Sequence, residues 1–164
     1  FSSIQNNNER TRRMQQKEIK LLIVDDNTEY LDAMKLYLDR ESGISVVGLL
    51  DNGSKVLPFL QNNTVDVVLL DLMMPGMDGM GVLRTLQNAQ LHHRPNIIVS
   101  SIASSTYLIP QLFHLGATAF LAKPIPMSDV VAKIRAFAVT NNTPPDGRPT
   151  GDYENLPHET VGAD

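Results

Sequence analysis

Short apolar runs recur along the chain and are separated by stretches with helical spacing. Leu21-Leu22-Ile23-Val24, Val67-Val68-Leu69-Leu70 and Ala119-Phe120-Leu121-Ala122 are the clearest, with further runs over 44–49 and 96–100. Runs of four to six apolar residues bounded by turn signals predict strands buried on both faces, which is the habit of parallel sheets. The pattern places strands at roughly 20–24, 44–49, 66–70, 96–100 and 118–122. Between them, Leu31, Met34 and Leu38 recur at helical spacing in a segment of about 28–40 that Asn27 or Thr28 can cap. The turn Asp51-Asn52-Gly53 leads to a helix over about 54–62, where Pro58 is expected to sit within the first turn or to distort the helix. A loop with Pro75-Gly76 precedes a helix from near Asp78 to Ala89. A weakly helical stretch over 104–115 contains Pro110, and an amphipathic helix covers about 127–139. Five strand-helix units with short connections predict a doubly wound α/β fold, (βα)5, with a five-stranded parallel sheet covered by helices on both faces.

Composition sets bounds on this picture. With 164 residues, 42% of them hydrophobic and 20% charged, the chain suits one globular domain with tails. Residues 1–18 are a polar extension, 19–140 the folded domain, and 141–164 a Pro/Gly-rich linker or disordered tail in which Asn141-Asn142-Thr143-Pro144-Pro145-Asp146-Gly147 sets the character. A net charge of −4 gives no basic footprint for nucleic acid. The absence of cysteine excludes a disulfide scaffold and fits a reducing, cytoplasmic setting. No apolar run approaches the roughly 20 residues that a membrane helix needs. The start Phe1-Ser2-Ser3 lacks the basic and apolar parts of a signal peptide and suggests a fragment or processed chain.

Charge at the strand ends carries the chemistry. Asp25 and Asp26 follow the first run, Asp71 the third and Lys123 the fifth. In open α/β sheets the carboxyl edge of the strands forms the ligand crevice. A lone aspartate there often caps the next helix. Three at adjacent strand ends would repel one another unless a cation joins them. Mg²⁺ prefers such oxygen ligands, so Asp25, Asp26 and Asp71 form a candidate metal site. A single lysine at the surface usually snorkels, but Lys123 at this edge offers a compact positive charge for a phosphate.

Three segments, Leu21 to Asn27, Leu69 to Gly79 and Leu115 to Pro124, resemble the receiver domain of two-component response regulators over about 19–140. The resemblance implies a flavodoxin- or chemotaxis-receiver-like fold with strand order 2-1-3-4-5. It implies that Asp71 is the phosphoacceptor, a carboxylate nucleophile fed by a sensor histidine kinase or histidine phosphotransfer protein. Asp26 matches the direct Mg²⁺ ligand, Asp25 its partner, and the backbone carbonyl of Met73 a further ligand. Lys123 matches the lysine that pairs with a phosphoryl oxygen, in a cis bond to Pro124. Ser101, thirty residues after Asp71, matches the switch hydroxyl, with Ser100 as the reserve. Phe120 matches the switch aromatic and serves equally well as a plain core residue.

The family's residue after the switch hydroxyl is usually small, whereas here Ile102 follows Ser101. A branched side chain crowding the pocket predicts slow phosphotransfer or slow autodephosphorylation. The resemblance further implies a signalling domain rather than a turnover enzyme, acting through the face of residues 104–139 on an output domain or partner, with homodimerisation on phosphorylation and no membrane contact. Val67 to Pro75 and Arg94 to Ile98 look similar to the receiver of the sporulation master regulators, which points to transcription. Two alternatives stand beside this: a phosphorylation-independent interaction domain, and a Mg²⁺-dependent aspartyl phosphatase. The phosphatase needs a second aspartate two residues after the nucleophile, where this chain has Met73. Met73, Met74, Met77 and Met80 suit loop and core packing, and His92 and His93 a solvated connection.

Overall fold

The computed structural model describes residues 17–102 and 107–138. The predicted extension 1–18 and tail 141–164 therefore lie almost wholly outside the described residues. Strands β1 (Ile19–Val24), β2 (Ile44–Leu50), β3 (Val67–Asp71), β4 (Asn96–Ser101) and β5 (Ala119–Ala122) pair in parallel. Their order in the sheet is β2-β1-β3-β4-β5. Helices α1 (Thr28–Leu38), α2 (Val56–Asn62), α3 (Gly79–Asn88), α4 (Leu108–His114) and α5 (Met127–Ala138) alternate with them.

The continuous apolar runs follow from burial on both sides of the sheet. Along β1 and β3, Leu21, Ile23, Val67 and Leu69 face one core with Leu31 and Met34 of α1 and Val130 and Ile134 of α5. Leu22, Val24, Val68 and Leu70 face the other, with Val56 of α2, Leu83 of α3 and Leu112 of α4. Alternation with period two thus assigns each strand residue to one layer, so that Leu21 to Val24 and Val67 to Leu70 are apolar throughout.

Caps and prolines fix the helix starts. Asn27 caps α1 by accepting from Tyr30 N at 3.1 Å, and Asp78 caps α3 by accepting from Gly81 N at 2.9 Å. Pro58 and Pro110 each sit third in their helices, within the first turn, where a missing amide costs nothing. The stretch from 104 is shorter as a helix than the sequence predicts. Residues 103–106 lie outside the described residues, Tyr107 is a turn, and α4 begins at Leu108. Helix α1 stops at Leu38 rather than 40, and a three-residue 3₁₀ turn, Gly53–Lys55, precedes α2. Strand β3 runs one residue further than predicted, so that Asp71 lies inside the sheet, paired with Ser100.

Candidate functional site at the carboxyl edge of the sheet

Strand alternation and register together build the site. Asp71 continues the face of Leu69, and Ser100 that of Ile98, the layer shared with α1 and α5. Asp25 follows β1, which pairs with β3 through Val24 and Leu70, so Asp25 arrives beside Asp71. One carboxylate oxygen from each of Asp25, Asp26 and Asp71 lies within 4.8 Å of the other two. Asp25 and Asp71 are buried, at 3% and 8% exposure, while Asp26 is open to solvent. This donor set of hard oxygens with one solvent-facing member fits a small divalent cation that retains water.

Lys123 reaches the cluster from just past β5. Its backbone N donates to Ser101 O at 2.9 Å, and the peptide bond to Pro124 is cis, as the family resemblance implies. Its Nζ donates to Asp25 Oδ2 at 2.7 Å and lies 3.9 Å from Asp71 Oδ1. On another side, Nζ stands 4.3 Å from the centroid of the Tyr30 ring. Asp25 Oδ1 accepts from Asn27 N at 2.9 Å, and Asp71 Oδ1 accepts a long bond of 3.4 Å from Met73 N.

The electrostatics follow from this crowding. Burial pushes the Asp71 carboxyl above its ordinary range. The charges of Asp25 and Asp26 add to the rise, while Lys123 and the Met73 amide oppose it. Burial works against the charged form of Lys123, but its hydrogen bond to Asp25 and the nearby Asp71 charge prevail and raise it. Tyr30 is raised by burial, with Lys123 opposing and the two aspartates assisting. The nucleophile candidate is thus a carboxylate whose ionised form is disfavoured by its surroundings.

The two serines separate by register. Ser100 lies directly beside Asp71, is 3% exposed, and its hydroxyl finds no partner among the described residues. Ser101 pairs with Ala122 and continues the opposite layer after Val99, the layer against which Phe120 packs. Ser101 and Phe120 therefore share a face, whereas Ser100 shares one with Asp71. Ile102 is 77% exposed. Its side chain turns to solvent and does not fill the space beside Asp71, so the predicted crowding is not seen in this arrangement. The Met73 side chain is likewise exposed, and its backbone N is the donor to Asp71 Oδ1. His92 and His93 lie in the connection before β4, at the other end of the sheet, where His93 Nε2 stands 3.6 Å from Asp66.

Two features escape inspection of the sequence. Tyr30 sits at the edge of the buried stripe of α1 that contains Leu31, Met34 and Leu38, which is the signal that its ring could turn toward the strand ends. Gly79 opens α3 against the loop after Asp71. A Cβ there would stand 2.7 Å from Asp71 O and 2.8 Å from Leu72 Cα, and Gly79 N donates to Leu72 O at 3.0 Å. The missing side chain lets the helix pack onto the backbone that carries the aspartate.

Comparison with known proteins agrees with this geometry. Residues 21–135 match the family model described as the response regulator receiver domain. Among solved structures, the signal receiver domain of the putative response regulator NarL from Mycobacterium tuberculosis is similar, with a TM-score of 0.68 and 25% identity over 74% of this chain and 97% of that one. The response regulatory domain of mrkE from Klebsiella pneumoniae is similar at a TM-score of 0.62 and 26% identity, over 73% of this chain and 94% of that one. A CheY-like receiver domain protein from Methanospirillum hungatei shares the fold, at a TM-score of 0.65 and 24% identity, over 74% of this chain and 94% of that one.

Proposed function

We propose that this chain, which belongs to the response regulator receiver domain family, works as a switch in which Asp71 takes a phosphoryl group from a histidine of a sensor kinase or a histidine phosphotransfer protein. The observation that carries the proposal is the convergence of Asp25, Asp26, Asp71 and the Lys123 ammonium at one edge of the sheet.

An Asp71 oxygen forms the new O–P bond while the P–N bond of the donor breaks and its electron pair returns to the imidazole. Lys123 lies close enough to Asp71 to pair with a phosphoryl oxygen added there. Asp25, Asp26 and Asp71, with the Met73 carbonyl, would hold Mg²⁺, which when bound neutralises the carboxylates and the incoming phosphoryl oxygens. Ser101 faces the layer opposite Asp71 in this arrangement, so its hydroxyl reaches a phosphoryl oxygen only as its loop turns inward, and that shift passes to Phe120 on the same face. Receiver domains act on output domains or partners, and the surface formed by Tyr107 to Ala138 is the proposed route here, with transcription as the output and the cytoplasm as the setting. Among the described residues no helix is long and apolar enough to cross a membrane.

The test is Mg²⁺-dependent binding of beryllofluoride together with phosphoryl incorporation from acetyl phosphate. The wild-type chain is expected to bind the analogue and to be labelled, and Asp71→Asn to do neither. A wild-type chain that neither binds nor is labelled would sink the proposal in favour of a phosphorylation-independent interaction domain.

A further inference from the structure

We propose that Tyr30 is a positioning residue for Lys123, its ring face holding the ammonium over Asp71 when a cation takes the charge of Asp25. The proposal rests on the phosphoacceptor reading of Asp71 and adds to it a residue of α1 that makes no bond to phosphate or metal.

The contacts form a closed circuit. Lys123 Nζ donates to Asp25 Oδ2 at 2.7 Å and stands 4.3 Å from the Tyr30 ring centroid. Tyr30 N donates to Asn27 Oδ1 at 3.1 Å, and Asn27 N donates to Asp25 Oδ1 at 2.9 Å. The helix cap and the lysine anchor are thus the two sides of one carboxylate, and the ring is set by the same cap that starts α1. A lysine stem has four rotatable carbons, so an ammonium needs more than one contact to stay in place. Asp71 at 3.9 Å is beyond hydrogen-bond range and leaves a donor aimed at the place a phosphoryl oxygen would occupy.

The ring matters because the other anchor is contested. Asp25 is both the partner of Lys123 and a candidate ligand of the cation. A divalent ion at Asp25 draws the carboxylate charge away from the ammonium and repels it directly. An aromatic face attracts the ammonium without being a ligand for a hard cation, and it excludes water from that side. Half-buried Tyr30 therefore opposes the swing of Lys123 toward solvent at the moment when the phosphoryl group needs it.

The experiment compares Tyr30→Leu, which keeps apolar bulk without a ring, and Tyr30→Phe, which keeps the ring face. Beryllofluoride affinity is measured at saturating Mg²⁺, alongside the rate of labelling by acetyl phosphate. Tyr30→Leu is expected to lose about 2- to 30-fold in both, the span corresponding to a cation–π contact. Tyr30→Phe restores most of that loss. Mg²⁺ affinity without beryllofluoride stays equal or tightens in Tyr30→Leu, because Lys123 then competes less for Asp25. In a Lys123→Ala background Tyr30→Leu has no further effect. A measurement on the wild-type chain does not depend on how the variants fold: the ε-methylene protons of Lys123 are shifted upfield by the ring, and remain so with Mg²⁺ added. Wild-type binding in Tyr30→Leu, no rescue by Tyr30→Phe, an undiminished loss in the Lys123→Ala background, or unshifted lysine protons would overturn the proposal. Those outcomes leave wild-type phosphorylation intact, whereas a wild type that binds no beryllofluoride removes the phosphoacceptor reading itself.

Discussion

Asp71 is held where its charged form is disfavoured. Burial and the neighbouring carboxylates lift its proton affinity, so ionising it in the folded chain costs free energy that the unfolded chain does not bear. The cost is absent below the ordinary carboxylate value of 3.8, grows as pH rises from there to the higher folded value, and is fully present above it. Asp71→Asn is therefore expected to stabilise the cation-free protein at neutral pH, by about 0.5–2 kcal/mol, the range for relieved charge repulsion. The gain fades as pH falls toward the ordinary carboxylate value, and urea unfolding at several pH values checks it. Ser100 offers a second contrast. Its buried hydroxyl is unpartnered, so Ser100→Ala is expected to stabilise by about 1 kcal/mol. Ser101→Ala, by contrast, should leave beryllofluoride binding largely in place while weakening the response of amide signals over 107–138. An equal response in wild type and Ser101→Ala would assign the switch hydroxyl elsewhere. Which serine faces which layer was not legible in the sequence, because one residue of register reverses the face of a strand side chain. Spacing nominates Ser101, and only the pairing of Asp71 with Ser100 shows which of the two hydroxyls shares its layer. Tyr30 was hidden for a different reason, since its contact with Lys123 joins distant parts of the chain.

At the scale of elements, the strands were legible as short apolar runs, most clearly β1, β3 and β5, which lead into Asp25, Asp71 and Lys123. Val24 gives way to Asp25 and Ala122 to Lys123, and no alternation had to be interpreted. Strand β3 is the exception that matters, since its last paired residue is Asp71 itself. The nucleophile candidate thus has the sheet's rigidity on one side and only the loop to α3 on the other. Gly79 fixes the closeness of that loop. An Ala methyl at Gly79 would meet the Asp71 carbonyl and the Leu72 Cα, neither of which can rotate aside. Gly79→Ala is expected to destabilise by about 1–3 kcal/mol, the usual cost of overpacking, and to slow labelling of Asp71 as the loop shifts. Thermal melting and acetyl phosphate labelling measure the two effects, and a fully stable Gly79→Ala chain would show that α3 can move away freely. Helix α4 was the least legible element. Ser104-Ser105-Thr106 and Pro110 give weak local preference, and the start at Leu108 follows from burial of Ile109 and Leu112 rather than from a cap.

Among the described residues, Asp25, Asp26 and Asp71 gather at the carboxyl edge of a sheet whose core is apolar, so the folded state carries a local excess of negative charge that only folding assembles. Lys123 offsets part of it by bonding to Asp25. Any ion that binds the assembled cluster and not the unfolded chain must stabilise the fold by mass action. At Mg²⁺ one hundredfold above its dissociation constant the stabilisation is about 2.7 kcal/mol. The sign of its pH dependence follows from Asp71: its raised proton affinity makes protons compete with the cation, so the gain shrinks as pH falls through the raised range and is largest above it. Asp71→Asn removes one ligand charge together with the proton that competes for it. The variant is therefore expected to show a smaller gain with Mg²⁺ and a flatter dependence on pH between the ordinary carboxylate value and neutrality. Melting curves with and without Mg²⁺ across that range separate the two, and a wild-type gain independent of pH would show that Asp71 is not among the groups the cation draws together.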